Sequence, residues 1–250
     1  MTRFLAIALT LSMILGTLGC ASTKFSKSTL PEQPNFKPVT VGMPGKGKMG
    51  AYAAGRMAAF EKEDVAKLQG CIAFVGDSIT ERFPVEKYFP GQKVANRGIG
   101  GDTMGGSNGW GLMDRLDACV YNLNPKTLIL MIGINDIVWV SSQSVEDKIL
   151  RHDYLLWTLR KNLPNTKIYV VSCTPCKGKY AKYNEQTLKF NAGMKAHVQK
   201  YGIKYIDIYD LFKDEKGMLK EDLAADDIHL SPKGYELITT VYNKEILKKK

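Results

Sequence analysis

The sequence predicts one doubly wound α/β domain over residues 49–250, preceded by an N-terminal arm. Three observations predict it. Short apolar runs rich in β-branched residues recur along the chain, and three are nearly continuous, as strands buried on both faces are. The segments between them are long enough for crossover helices, so strand and helix alternate five times. The composition is that of an ordinary globular protein: 250 residues, 44% apolar and 24% charged. It excludes a disordered tail protein, a collagen and a short disulfide scaffold. No internal repeat or second break in composition divides the domain.

The chain opens with an address. Arg3 precedes an uncharged apolar run from Phe4 to Gly19. That run is short of the roughly 20 residues a membrane span needs. A basic start, an apolar middle and a small residue at the end read as a secretory signal over residues 1–19. The run stops at Gly19-Cys20, which resembles the lipobox of bacterial lipoproteins. The resemblance implies that Cys20 carries lipid, becomes the first mature residue and anchors the protein to a membrane. Thr17 stands where Leu is usual in that motif, and ordinary cleavage near Ala21 is the alternative. Either route places the mature protein outside the cytoplasm, in the cell envelope or beyond it. Residues 20–48 follow as a tether or loosely packed arm, rich in Pro, Gly, Ser and Lys and without apolar period. Gly42 to Lys48 has the spacing of a phosphate loop. Met49 replaces the required Ser or Thr and no strand precedes it, so no nucleotide site is expected.

The expected strands are CIAFV (71–75), KVAN (93–96), TLILMIG (127–133), KIYVVS (167–172) and IKYIDI (203–208). The clearest helix starts at Ser144, an N-cap followed by Glu146 and Asp147 in the first turn. Its apolar stripe is Val145, Ile149, His152, Leu156, Leu159 and Leu163, and Pro164 stops it. The last helix starts at Ser231-Pro232, an N-cap with proline at the first helical position. It carries Tyr235, Ile238, Val241 and Tyr242 on one side.

In such sheets ligands bind beyond the carboxyl ends of the strands. After the first strand comes Gly76-Asp77-Ser78-Ile79-Thr80. After the second comes Asn96-Arg97-Gly98-Ile99-Gly100-Gly101-Asp102-Thr103. After the third comes Gly133-Ile134-Asn135-Asp136, and after the last comes Asp226-Asp227-Ile228-His229-Leu230-Ser231. A serine nucleophile needs a base in hydrogen-bond reach and a third group to orient that base. Ser78 sits at a strand-to-helix turn. His152 falls on an apolar helix stripe and reads as a satisfied core residue; His197 falls in a lysine-rich helix and reads as solvated. His229 lies in a loop before a capped helix and is free to face the sheet edge. Asp226, three residues upstream, can hold its ring, with Asp227 the rival. Acyl transfer also needs donors for the oxyanion. Gly101, the Asn135 side chain and the Ser78 N–H can supply them.

GDSIT, NRGIGGDT, GIND and DDIHLSPKGY resemble the four blocks of the SGNH, or GDSL, hydrolases over residues 56 to 246. The resemblance implies a flavodoxin-like fold with a five-stranded parallel sheet, and neither metal nor cofactor. It implies Ser78 as nucleophile, Asp226 and His229 completing the triad, and Gly101, Asn135 and the Ser78 N–H as oxyanion hole. The NRGIGGDT form resembles the platelet-activating-factor acetylhydrolase branch and related bacterial acetylesterases. The chain departs from them at MGGSNGWGLMDRL after Thr103, where extra glycines and Trp110 stand; Trp110 becomes a candidate substrate contact. Asp77, Asn96, Asp102 and Asp136 are expected to brace loops. The expected activity is an exported serine esterase acting on short acyl esters of a carbohydrate or lipid. The alternatives are a lysophospholipase or thioesterase-type lipid acylhydrolase, and a non-catalytic glycan-binding protein.

The five cysteines, Cys20, Cys71, Cys119, Cys173 and Cys176, are too few for a disulfide framework. Cys173-Thr174-Pro175-Cys176 after a strand has thioredoxin spacing. It lacks the preceding tryptophan and leaves the four blocks unexplained, so a local disulfide or two unpaired thiols is the expectation. NRGIGGDT also approaches a dinucleotide fingerprint, but Thr103 stands at the third glycine position. The net charge of +10 falls to +9 without the signal, since only Arg3 is lost. Between Asn165 and Lys204 eight lysines face a single Glu185. Lys177, Lys179 and Lys182, interleaved with Tyr180 and Tyr183, are candidate contacts to an anionic glycan or headgroup; a solvated helix face is the plainer account. An exported chain is not expected to meet nucleic acid.

Overall fold

The computed structural model describes residues 29–36, 48–105 and 111–248. Five strands form one parallel sheet in the order β2-β1-β3-β4-β5: β1 Ile72–Gly76, β2 Val94–Gly98, β3 Thr127–Met131, β4 Lys167–Val171 and β5 Lys204–Ile206. The α/β class and the parallel five-stranded sheet are as expected from the sequence. β1 and β3 are buried at every position, which their unbroken apolar runs require. β3 stops at Met131 rather than running to Gly133, and β5 keeps three of the six residues in its apolar run.

Strand order reverses between β1 and β3. Right-handed crossovers then put the β1–β2 connection on one face of the sheet and the β2–β3, β3–β4 and β4–β5 connections on the other. An aromatic cluster fills the first face. Phe83 stacks on Tyr235 at 5.2 Å between ring centroids, and Phe74 meets Phe83 edge-on at 5.5 Å. Tyr235 and Tyr242 belong to the last helix, Pro232–Glu245, whose Ser231 cap accepts the Gly234 N–H. The expected stripe is therefore the buried side of that helix.

On the second face lies the helix Val145–Asn162. Ser144 and Asp147 form a capping box at its start, each side chain accepting the other's backbone N–H. Its buried surface is wider than the predicted stripe and includes Lys148, Arg151, Asp153, Trp157 and Arg160. Asp153 and Arg160 are covered by Tyr201, and the rest of the widening comes from a second covering. Residues 29–36 of the arm lie on the helix, where the Trp157 indole N–H donates to the Pro31 carbonyl and Phe36 packs on Tyr154. That part of the arm is packed, not loose. The signal segment, Cys20 and Trp110 fall outside the described residues. Among the described residues no helix is long and apolar enough to cross a membrane.

The end of β2 approaches the start of the next layer very closely. A Cβ at Gly98 would lie 2.1 Å from the Glu81 backbone nitrogen, inside the short helix Ser78–Glu81. Backbone cannot yield there as a flexible side chain would. Gly98→Ala should cost about 3 kcal/mol of stability, the upper range for overpacking. A urea unfolding midpoint unchanged from wild type would contradict this packing.

Candidate active site

The switch in strand order leaves a crevice at the carboxyl ends of β1 and β3, where side chains from separate loops converge. Ser78 opens the helix Ser78–Glu81 directly after β1. Asp77 caps that helix, its carboxylate accepting the Ile79 N–H at 2.9 Å. The loop before the last helix brings His229 to the same place. Its Nε2 lies 2.8 Å from Ser78 Oγ, and its Nδ1 lies 2.7 Å from Asp226 Oδ2. These partners assign the tautomer: a carboxylate accepts only, so Nδ1 carries the hydrogen and Nε2 accepts from the serine hydroxyl. Asp226 Oδ1 also accepts the backbone N–H groups of Ile228 and His229. These contacts to the charged form hold the Asp226 carboxyl well below the usual range against the opposing effect of desolvation. Asp227, the rival orienter, lines the same cleft but is engaged elsewhere. Its carboxylate takes the Lys179 N–H at 3.3 Å.

The loop after β2 turns at Gly101, whose φ of +75° suits glycine. The preceding Gly100 N–H donates to Glu81 Oε2. Asn135, on the helix Ile134–Trp139, donates from Nδ2 to the Asp102 carbonyl at 2.8 Å and accepts from the Trp139 indole at 3.1 Å. Ser78, Gly101, Asn135, Asp226 and His229 all line one open cleft of about 1090 Å³. The five positions that the sequence singled out for chemistry thus meet at one site.

The substrate-contact candidates divide. Lys179 lines the cleft. Lys177 does not: its ammonium is held by both carboxylate oxygens of Glu221, at 2.6 and 2.7 Å. Lys182 lies over the Tyr183 ring and is also absent from the cleft wall. The other histidines need correction as well. His152 is core, as expected, but not satisfied: neither ring nitrogen has a hydrogen-bond partner, and burial pushes its pKa down to about 3. It is a neutral ring packed edge-on against Phe190. His197 is half-buried beside Asp153 rather than solvated. Cys71, Cys119, Cys173 and Cys176 are free, buried thiols, so the C-x-x-C spacing makes no disulfide. Burial raises the Cys176 thiol to about 12 and Cys173 well above its usual value, the reverse of a reactive pair.

Sequence reading missed one wall. Tyr52 and Arg56 sit one turn apart on the N-terminal helix Lys48–Glu61. The Tyr52 hydroxyl and the Arg56 guanidinium both reach Glu81 Oε1, while Glu81 Oε2 holds Gly100. A spacing of four on a helix says that two residues share a face, not what that face meets. Arg82, next to Glu81, stands 3.6 Å from Asp226.

The sequence model of the GDSL-like lipase/acylhydrolase family matches residues 74–237, which hold all five converging positions. The chain belongs to this family. It is an ester-bond hydrolase of the lipase and acylhydrolase type. Solved structures agree in fold. This hydrolase is 24% identical to a Streptococcus pneumonia protein provisionally named a platelet activating factor, with 79% of this chain and 92% of that chain covered and a TM-score of 0.67. It is 18% identical to a GDSL-like lipase from Bacteroides thetaiotaomicron, covering 80% and 98%, with a TM-score of 0.64. An acetylxylan esterase from Geobacillus stearothermophilus is also 18% identical, covering 71% and 94%, with a TM-score of 0.56. No curated protein matches the sequence.

Beneath the cleft lie three buried carboxyls. Asp77 is braced by the Ile79 N–H, Asp102 by Arg115, and Asp136 by Arg151 and the Met104 N–H. Asn96 spans the Thr80 and Phe83 carbonyls. All four residues brace loops, as expected. Desolvation pushes Asp77 up to about 7, with Asp102 and Asp136 adding repulsion against the Ile79 hydrogen bond. The folded protein therefore keeps that proton up to a higher pH than the unfolded chain, whose Asp titrates near 3.9. The sign follows: folding takes up a proton between these values, and stability falls as pH rises from about 4 to about 7. Asp77→Asn keeps the capping oxygen and removes the titration. Its unfolding free energy should decline less than wild type across that window; parallel profiles from urea titrations would refute the assignment.

Proposed function

We propose that the protein is an exported serine esterase working through a Ser78–His229–Asp226 triad. The observation that carries this is the unbroken hydrogen-bond chain from Ser78 Oγ through the His229 ring to Asp226, 2.8 Å and 2.7 Å long. In the proposed mechanism His229 Nε2 takes the Ser78 proton as Oγ attacks the ester carbonyl. The tetrahedral oxyanion is met by the N–H groups of Ser78 and Gly101 and by Asn135 Nδ2. Collapse expels the alcohol, which takes its proton from His229, and leaves an acyl-enzyme. Water deprotonated by His229 then attacks, and Ser78 regains its proton as the acid departs. Asp226 stays ionised throughout and stabilises the imidazolium.

The acyl group we propose is acetyl or similarly short, on a carbohydrate. The cleft is open, which leaves room for a bulky alcohol beside the serine. The acetylxylan esterase of the same fold lends weight by analogy only. Lys179 at the rim, its ammonium 5.0 Å from the Tyr180 ring, is the basic contact we retain for an anionic substrate. Export rests on the Phe4–Gly19 run, with lipidation at Cys20 the form of anchoring we propose.

Ser78→Ala should reduce 4-nitrophenyl acetate hydrolysis to background, and retained activity would end the assignment. Asn135→Ala should lower kcat by about 10²–10³ with little change in KM, the loss typical of an oxyanion donor. Across a series of nitrophenyl esters kcat/KM should peak at acetate, whereas a preference for long chains would favour a lipid substrate. Lys179→Glu should raise KM for an anionic acetylated glycan several-fold and leave the neutral aryl ester unaffected. Equal KM values for the glycan before and after charge reversal would remove Lys179 from the substrate contacts.

A further inference from the structure

Trp139 ends the helix Ile134–Trp139, one turn beyond Asn135, and 58% of its surface is exposed at the cleft. Core packing therefore accounts for little of its placement. Two contacts hold it: the edge of Tyr180 at 5.5 Å, and the indole N–H donated to Asn135 Oδ1 at 3.1 Å.

The second contact bears on chemistry. A side-chain amide has two ends of opposite polarity that are nearly the same shape, so its orientation must be dictated by its neighbours. Asn135 meets an acceptor-only group at one end, the Asp102 carbonyl, and a donor-only group at the other, the Trp139 indole. Turning the amide over would set oxygen against oxygen and N–H against N–H, and both hydrogen bonds would be lost. In the observed orientation Nδ2 spends one hydrogen on Asp102, and its second is left for the cleft that Asn135 lines.

We propose that Trp139 is a positioning residue that locks the Asn135 amide with its nitrogen toward the oxyanion. This rests on reading Asn135 as an oxyanion donor. The indole acts through Asn135 and makes its contribution whatever alcohol the ester carries. The i, i+4 spacing within Asn135-Asp136-Ile137-Val138-Trp139 is what brings the donor over the amide.

The test is a double-mutant cycle on 4-nitrophenyl acetate. Trp139→Phe retains an apolar ring and removes the donor. Because the side chain is exposed, the melting temperature should hold within about 2 °C. kcat should fall about tenfold with KM within about twofold, the loss expected for one hydrogen bond felt in the transition state. In an Asn135→Ala background the same substitution should change kcat by less than about twofold, because nothing is left to orient. Losses that multiply would overturn the proposal and leave Asn135's role intact. So would a raised KM at unchanged kcat, which would make Trp139 a substrate wall only, or no effect of Trp139→Phe at all. A wild-type rate in Asn135→Ala alone would overturn the oxyanion reading and this proposal together.

Discussion

The Arg115 guanidinium, fully buried, is the joint on which the cleft depends. It donates four hydrogen bonds and forms an ion pair. Nε donates to Asp102 Oδ2 at 2.8 Å, Nη2 donates to the Gly76 carbonyl, and Nη1 donates to the Arg97 carbonyl and Cys119 Sγ, while Nη2 also stands 2.6 Å from Asp102 Oδ2 as an ion pair. Those partners are the end of β1, the end of β2 and the loop that follows β2. Asp102 in turn accepts Asn135 through its backbone carbonyl, which joins the loop after β3. One side chain thus fixes the relative positions of the three loops that carry Ser78, Gly101 and Asn135. A planar, rigid donor set does this where a lysine, with three donors on a mobile stem, could not. Removing either member of such a buried pair leaves a charge without its partner, so the arrangement tolerates little change.

Much charge is buried under the site, and only part of it is tied to this joint. Asp77, Asp102 and Asp136 are 1%, 4% and 0% exposed. Desolvation drives all three upward, and the cations opposing it are Arg115 for Asp102 and Arg151 for Asp136. Among the described residues Asp77 has no ion pair, and desolvation raises it to about 7. Its position is set by capping: the carboxylate must accept the Ile79 N–H to start the helix at Ser78. The fold accepts an electrostatic cost there to hold the serine at a sharp turn. Asp226 lies at the other extreme, half exposed and bound to N–H groups, and its carboxyl stays ionised.

How much of this was legible in the sequence depended on whether a feature is local. Apolar runs located all five strands, most clearly β1 and β3, which are buried at every position; β2 carries Asn96 and Arg97, and β4 and β5 each begin with an exposed lysine. Capping residues located the two helices that frame the sheet, because Ser144 and Ser231 satisfy backbone donors within three residues of themselves. The four short segments marked the loops that converge, because each follows its own strand and parallel strands bring those ends to one edge. Contacts between distant segments were not legible. Nothing in the sequence joins Lys177 to Glu221, or Trp157 to Pro31, and both pairings changed an expectation. His152 misled for a related reason. Its place on an apolar stripe is local and came out correctly, but whether its ring nitrogens found partners depended on every element packed around it.

The wall formed by Tyr52 and Glu81, with Arg56 behind it, has a consequence for how the opening can change. Tyr52 and Arg56 come from a helix that precedes residues 74–237, the stretch shared with the GDSL-like family. Glu81, which they grip, lies inside that stretch and holds Gly100, the neighbour of Gly101. The reaction centre and one side of its opening therefore come from segments far apart in the chain. That helix is rooted in the core through Ala53 and Phe60, and Arg56 also donates to the Gly98 carbonyl, so a change in it is felt at the end of β2 as well as beside the serine. The width of the opening and the packing of the sheet edge are thus tied together through one element.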